Sequence, residues 1–256
     1  MITDFYEKLT TRNGGIISLE GQAKLKSSVI AIAGCGADGG APALSLARLG
    51  VRNFRLADPD IFDYSNINRQ EGAFFSSVGT NKASEISRLI KDVDPTADVV
   101  VFDQGINEQN IVRFLAGCDL LLEEIDYRKP ELSELAHTTA FGLGIPVITV
   151  VSVGWNAFLF FFKPGATTYD EYVSTYGLQA YAPELPDYFS QELIDAVITE
   201  QIEIPAIDPS VRMASALASA FSYFHLSGIK ELLPVPHYYS SGDLMLKQAS
   251  IRGDAN

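Results

Sequence analysis

The sequence predicts an α/β protein with a Rossmann-like, doubly wound and mainly parallel sheet. Three observations carry this. The apolar run Val29–Ala33 enters the cluster Gly34-Cys35-Gly36-Ala37-Asp38-Gly39 and then an alanine-rich segment, the strand–turn–helix order of a nucleotide-binding unit. Short β-branched runs recur along the chain with helical periodicity between them. An acidic residue, Asp58, closes the second of these runs, where such folds place an acceptor for a ribose.

Taken in order, the strand Val29–Ala33 leads to a helix over 39–49, and Asn53–Ala57 is a second strand ending at Asp58-Pro59-Asp60. The polar stretch 61–81 is too long for an ordinary strand–helix connection, and loops of that length are usually functional. A helix over 82–91 follows, with Ile86, Leu89 and Ile90 at helical spacing. Further strands are predicted over 99–102, 120–122 and 146–151, with helices near 107–116 and 131–143; the apolar run 157–162 is strand-sized. Beyond Phe162 the character changes. Residues 164–209 are rich in proline, tyrosine and aspartate, which predicts a long crossover or lid. The small-residue-rich segment 210–233 predicts one helix, buried on the sheet or on a partner subunit, and 240–256 a frayed or edge-paired tail. The expected organisation is therefore one structural domain: a nucleotide-binding part over 1–163 with an N-terminal helical arm, a crossover/lid over 164–209, and a C-terminal helix and tail over 210–256.

With 256 residues, 47% hydrophobic and 20% charged, the chain can bury a sizeable core. No run approaches the ~18–20 apolar residues of a membrane span. The segment MITDFYEKLTTR carries acidic residues and no long apolar run, unlike a secretory leader, so the cytoplasm is the expected compartment. Two cysteines, Cys35 and Cys118, make neither a disulfide framework nor a four-cysteine zinc site, and both read as packing residues. A net charge of -13 argues against nucleic acid as a partner, because a broad phosphate footprint needs clustered Lys and Arg.

Gly34-x-Gly36-x-x-Gly39 has the dinucleotide-type spacing. Its logic is a tight turn, a close backbone approach and amide donors aimed at phosphate. Asp58 or Asp60 would accept from the ribose hydroxyls. NAD and ATP share this much. The next segment, Ser65-Asn66-Ile67-Asn68-Arg69-Gln70 with Lys82 beyond it, separates them. A dehydrogenase has no need of a fixed Arg and Lys here. A displacement at phosphorus does, because negative charge accumulates on the phosphate oxygens.

The run LADPDIFDYSNINRQ followed by VGTNKA resembles the ThiF/MoeB/HesA family, bacterial relatives of the ubiquitin-activating enzymes, over about residues 10–155. The resemblance implies adenylation of a substrate carboxylate by ATP with release of pyrophosphate. It implies Asp58 on the ribose and Asn66, Arg69 and Lys82 on the phosphates, with Arg69 and Lys82 stabilising charge at the α-phosphate. Asp126, in Leu121-Leu122-Glu123-Glu124-Ile125-Asp126, stands where the family's aspartate engages Mg²⁺ and pyrophosphate. The N-terminal Arg12-Asn13-Gly14-Gly15, followed by Leu19-Glu20-Gly21, is similar to that of the tRNA threonylcarbamoyladenosine dehydratases. It implies a homodimer in which Arg12 completes the partner's ATP site. The implied substrate is the C-terminus of a ubiquitin-like or sulfur-carrier protein, a peptide or a small acid; residues 164–209, outside the resemblance, are where substrate choice is expected.

Some positions depart from the family pattern. Ala37 replaces a glycine, Asp38 an apolar residue, and Tyr127 the asparagine after the aspartate; the zinc-binding C-x-x-C pairs and a crossover cysteine are absent. Asp38 suits the first turn of a helix but would repel a triphosphate that it faced. These departures leave two alternatives open: a family member kept as a scaffold without ATP chemistry, and an NAD-dependent oxidoreductase, which would leave Asn66, Arg69 and Lys82 without a role.

Overall fold

The computed structural model describes residues 5–199 and 201–241, the side chains of 178 and 179 excepted. Two helices, α1 (Phe5–Thr10) and α2 (Leu19–Ser27), precede β1 (Val29–Ala33), α3 (Ala37–Leu49), β2 (Asn53–Ala57), α4 (Lys82–Val93) and β3 (Asp98–Phe102). Then come α5 (Ile111–Leu115), β4 (Leu120–Glu123), α6 (Pro130–Gly142), β5 (Val147–Val153) and β6 (Asn156–Phe162). The chain continues through α7 (Tyr169–Tyr176), α8 (Gln191–Ile198), α9 (Asp208–Ser227) and β7 (Tyr238–Ser240).

The strands form one sheet in the order β3-β2-β1-β4-β5-β6-β7. β1 to β5 pair in parallel, whereas β6 and β7 add antiparallel. This is the doubly wound arrangement expected. The strand order reverses between β1 and β4, and ligands of such sheets bind at the carboxyl ends of the strands beside that switch. Ala33 pairs with Ala57 on one side and Glu123 on the other, so the turn after β1 sits between the ends of β2 and β4.

Alternation along the strands supplies two cores. Ile30, Ile32, Leu56, Leu122 and Val150 point to the face covered by α3, α4 and α9, while Ala31, Leu121 and Val147 point to the face covered by α5, α6 and α7. Parallel strands buried on both faces read as continuous apolar runs, which is why they were legible without a period-two pattern. All seven residues of β6 are buried, because α9 covers one face and α7 the other. Its fully buried Phe158, Phe160 and Phe161 are each worth about 2 kcal/mol in transfer from water.

Several elements differ at their ends from the sequence expectation; α4 and β5, for instance, each run two residues further. α3 starts two residues early, with Gly36 as its N-cap. α9 stops at Ser227 rather than running to 233, because Gly228 adopts the left-handed cap at φ +68°. The helix expected near 107–116 shrinks to Ile111–Leu115, since Asn107 and Asn110 spend their side chains on a turn: each accepts from a nearby backbone N–H. The segment 164–209 contains α7, started by a Thr168–Glu171 capping box, and α8. Of the expected tail, 240 and 241 are described, with Ser240 paired to β6, and 242–256 lie outside the described residues. Among the described residues no helix is long and apolar enough to cross a membrane.

Candidate active site

The turn after β1 opens a cleft of about 480 Å³ at the switch point. Its three glycines do different things. Gly34 has φ +96°, and a Cβ there would lie 2.0 Å from the carbonyl oxygen of Glu124. Gly39 is buried behind the turn, where a Cβ would lie 1.9 Å from the Gly34 carbonyl. It was predicted to touch the cofactor, but it is outside the cleft lining and serves the close approach of helix to turn. At Gly36 a Cβ would meet only Gln70, at an ordinary contact distance of 3.8 Å. The cleft floor is therefore bare backbone at the mouth of α3.

Asp58 fixes that turn from the side. Its carboxylate accepts from the backbone N–H groups of Cys35 (2.7 Å) and Asp60 (2.8 Å) and is almost fully buried. Burial pushes this carboxyl up, against the pull of the two amides and Lys82. Asn81 caps α4 by accepting from Ser84 and also donates to the Asp58 carbonyl (2.8 Å), which sets Lys82, the first residue of α4, at the cleft edge. The Lys82 ammonium pairs with the exposed Asp60 at 3.2 Å.

The polar loop folds on itself. Asp63 and Asn66 form a capping box around the 3-10 turn Tyr64–Asn66, and Arg69 donates to the carbonyl of Ser65 and to Asn68. Asn66, Arg69 and Gln70 all line the cleft. Gln70 is buried, and its Oε1 has no hydrogen-bond partner among the described residues. It stands in the same motif as Arg69, yet motif reading gave it no role. An unpaired amide oxygen beside the Gly36 backbone is an acceptor open to a ligand of the cleft.

Asp38, the departure in the glycine turn, lines the cleft, but Ser152 engages both of its carboxylate oxygens. Its carboxylate accepts from both the backbone N–H (3.0 Å) and the hydroxyl (2.5 Å) of Ser152, which ties the first turn of α3 to the end of β5. Burial raises its pKa. Glu124 accepts from the Val150 N–H at 3.0 Å, and burial, reinforced by Asp38, pushes its carboxyl well up. Glu123 accepts from the Ser133 hydroxyl at 2.9 Å and approaches His137 at 3.4 Å.

The fourth wall is an alternating chain of charges. Both Asp126 oxygens lie 3.0 Å from the Arg128 Nε, and Arg128 Nη2 adds a bond of 2.5 Å. Burial pushes the Asp126 carboxyl up, but the Arg128 hydrogen bonds and charge outweigh it and hold it below its usual range. Arg128 also donates to Glu203 at 2.9 Å, and Glu203 reaches Arg69 at 3.6 Å. Tyr127 lines the cleft with its ring 6.1 Å from that of Tyr181.

The cleft thus gathers Gly34, Gly36, Asp58, Asp60, Asn66, Arg69, Lys82 and Asp126. Arg12 lies elsewhere, in the exposed 3-10 turn Thr11–Asn13 near the bare side chains of Ile16 and Leu19, 81% and 94% exposed. Both cysteines are buried and free. Burial pushes the Cys35 thiol well up and Cys118 to about 11, so neither is primed as a nucleophile.

The ThiF family profile matches residues 10–235. The chain belongs to the ThiF family. Among curated relatives, the tRNA threonylcarbamoyladenosine dehydratase of Bacillus subtilis is 34% identical over 117 residues, 45% of this chain and 46% of the relative. The sulfur carrier protein ThiS adenylyltransferase of the same organism is 29% identical over 153 residues, 59% of this chain and 45% of the relative. The ThiF-family chain therefore spans less than half of either relative. Escherichia coli MccB, solved with ATP, superposes with a TM-score of 0.70 at 20% identity, over 90% of this chain and 65% of MccB, a likeness of fold.

Proposed function

We propose that this ThiF-family protein uses ATP to adenylate a substrate carboxylate. The observation that carries the reading is the convergence of Arg69, Lys82 and Asp126 on one cleft beside the bare Gly36 backbone. The triphosphate lies over the turn, with Asn66, Arg69 and Lys82 on its oxygens and the ribose at the Asp58–Asp60 edge. A carboxylate oxygen attacks the α-phosphorus, the bond to the bridging oxygen breaks, and pyrophosphate leaves with the electron pair. Arg69 and Lys82 meet the charge that builds during this displacement, so the protein needs no nucleophile of its own.

Asp126 is a hard oxygen donor in the cleft, and among the described residues no group of three or more candidate ligands exists. That donor set fits Mg²⁺ held by one carboxylate and by the substrate's phosphates. Mg²⁺ bound there would neutralise phosphate charge; Arg128 must first release Asp126. Arg12, with Ile16 and Leu19 beside it, fits a homodimer in which it reaches the partner's cleft. Acceptable substrates are the C-terminus of a ubiquitin-like or sulfur-carrier protein, a peptide or a small acid.

The scaffold alternative leans most on Asp38, which lines the cleft with both carboxylate oxygens engaged by Ser152. Pyrophosphate–ATP exchange, run with Gly-Gly-ended peptides and with small acids, tests the reading. Exchange that depends on one of these carboxylates supports it. A protein that binds NAD and no ATP contradicts it.

A further inference from the structure

Arg128 covers the carboxylate that fits Mg²⁺. Its Nε lies 3.0 Å from each Asp126 oxygen, and Nη2 donates to Oδ2 at 2.5 Å. A guanidinium on both oxygens holds the place a divalent ion would take. The carboxylate has an anchor of its own, because the backbone N–H of Arg128 donates to Asp126 Oδ1 at 3.0 Å. The Lys129 N–H also donates to the Asp126 carbonyl at 2.8 Å. The guanidinium can therefore swing away while Asp126 keeps its position.

The other charges of the cleft decide where it goes. Asp38 is engaged by Ser152, Asp58 by two backbone N–H groups, Glu123 by Ser133 and Glu124 by the Val150 N–H. Asp60 pairs with Lys82. Of the acids lining the cleft, that leaves Glu203, which Arg128 shares with Arg69. The Glu203 side chain is 58% exposed and takes one hydrogen bond from Arg128, at 2.9 Å. Exposed pairs of this kind hold weakly. A phosphate group offers the guanidinium two oxygens at once and a higher charge. These seven acids face four cations, Arg69, Lys82, Arg128 and Lys129, so a polyanion in the cleft draws on every cation within reach.

We propose that Arg128 is a further phosphate-binding residue. Without metal it covers Asp126; on binding of MgATP it turns to the β- and γ-phosphates, the part that leaves as pyrophosphate. The inference rests on the adenylation reading, keeps Arg69 and Lys82 on the triphosphate, and adds a cation for the leaving group. The exchange leaves no charge bare: Asp126 trades a guanidinium for the metal, and Arg128 trades a carboxylate for phosphate. Arg128 therefore opposes metal binding when no nucleotide is present and favours nucleotide binding when it is. A purely structural ion pair would not show both signs.

Two measurements on the full chain test this, with Arg128→Ala and Arg128→Gln as parallel variants; removing a partly exposed side chain spares the fold. The first titrates Mn²⁺ without nucleotide, reading the free ion by electron paramagnetic resonance. Both variants are expected to bind Mn²⁺ roughly two- to fivefold more tightly than wild type, and Asp126→Asn/Arg128→Ala to lose that gain. The second titrates MgATP and AMP by calorimetry. Both variants are expected to bind MgATP roughly 10–100-fold more weakly than wild type and AMP within about twofold of it. MgATP affinity unchanged in the variants, or an equal loss for AMP, overturns the inference. So does a missing Mn²⁺ gain, or one that persists in the double variant. Wild type that binds no MgATP would sink the adenylation reading itself; wild type that binds MgATP with Arg128 silent sinks this inference alone.

Discussion

The two long walls of the cleft are built differently. The turn after β1 is held by backbone groups: the Gly34 N–H donates to the Ala57 carbonyl at 2.8 Å, the Cys35 N–H donates to Asp58, and there is no room for a Cβ at Gly34 or Gly39. The opposite wall, Arg69–Glu203–Arg128–Asp126, is held by partly exposed side-chain ion pairs. The first is a backbone mould, which on the proposed reading sets where a nucleotide lies. The second is exchangeable, as a surface must be if an anionic substrate is to enter and leave.

The largest effect that would break this contrast is at Gly34. Gly34→Ala places a Cβ against the Glu124 backbone at positive φ, and a loss of about 3 kcal/mol or more is expected in denaturant unfolding. An alanine variant of wild-type stability would show that the mould is not rigid. Next come Arg69→Ala and Lys82→Ala. Each should weaken MgATP binding by roughly 10–100-fold in calorimetry, as loss of a charged hydrogen bond does, while the melting temperature stays within about 2 °C. Loss of folding instead would make these residues part of the mould.

Arg12 extends the comparison across the proposed homodimer. Mixing Arg12→Ala chains with Lys82→Ala chains should restore one working site per mixed dimer, up to about half the activity of wild type per dimer. No restoration would place Arg12 outside the partner's site.

The smallest effect concerns the buried acids behind the mould. Glu124 has a folded-state pKa raised by burial and by Asp38, so the folded state holds its proton more tightly than the unfolded chain. Stability from this group is full below the unfolded value and is lost as pH rises toward the folded one. Glu124→Gln should therefore be more stable relative to wild type at pH 7–8 than at pH 4, read from urea midpoints across pH. A pH-independent difference would contradict the sign.

Local features were legible in the sequence, and contacts between distant segments were not. Gly34-x-Gly36-x-x-Gly39 and the strand ends sit within short stretches read from spacing, and the family resemblance singled out Asn66, Arg69 and Lys82, which the fold brings to one cleft. Asp38 looked hostile to phosphate because its partner, Ser152, is 114 positions away on β5. Glu203 carries no motif at all; only the path of the crossover brings it between two arginines. Gln70 belongs to the same motif as Arg69, but the unpartnered state of its Oε1 among the described residues is a property of packing. The end of α9 was missed for a simpler reason: apolar residues continue past Gly228, and the break is a backbone conformation.

The most direct test of the central claim is a calorimetric titration of the wild-type chain with MgATP and, separately, with NAD. The account predicts saturable MgATP binding that is lost in the Arg69→Ala/Lys82→Ala double variant, and no binding of NAD. Binding of NAD, or MgATP affinity unchanged in the double variant, would contradict it.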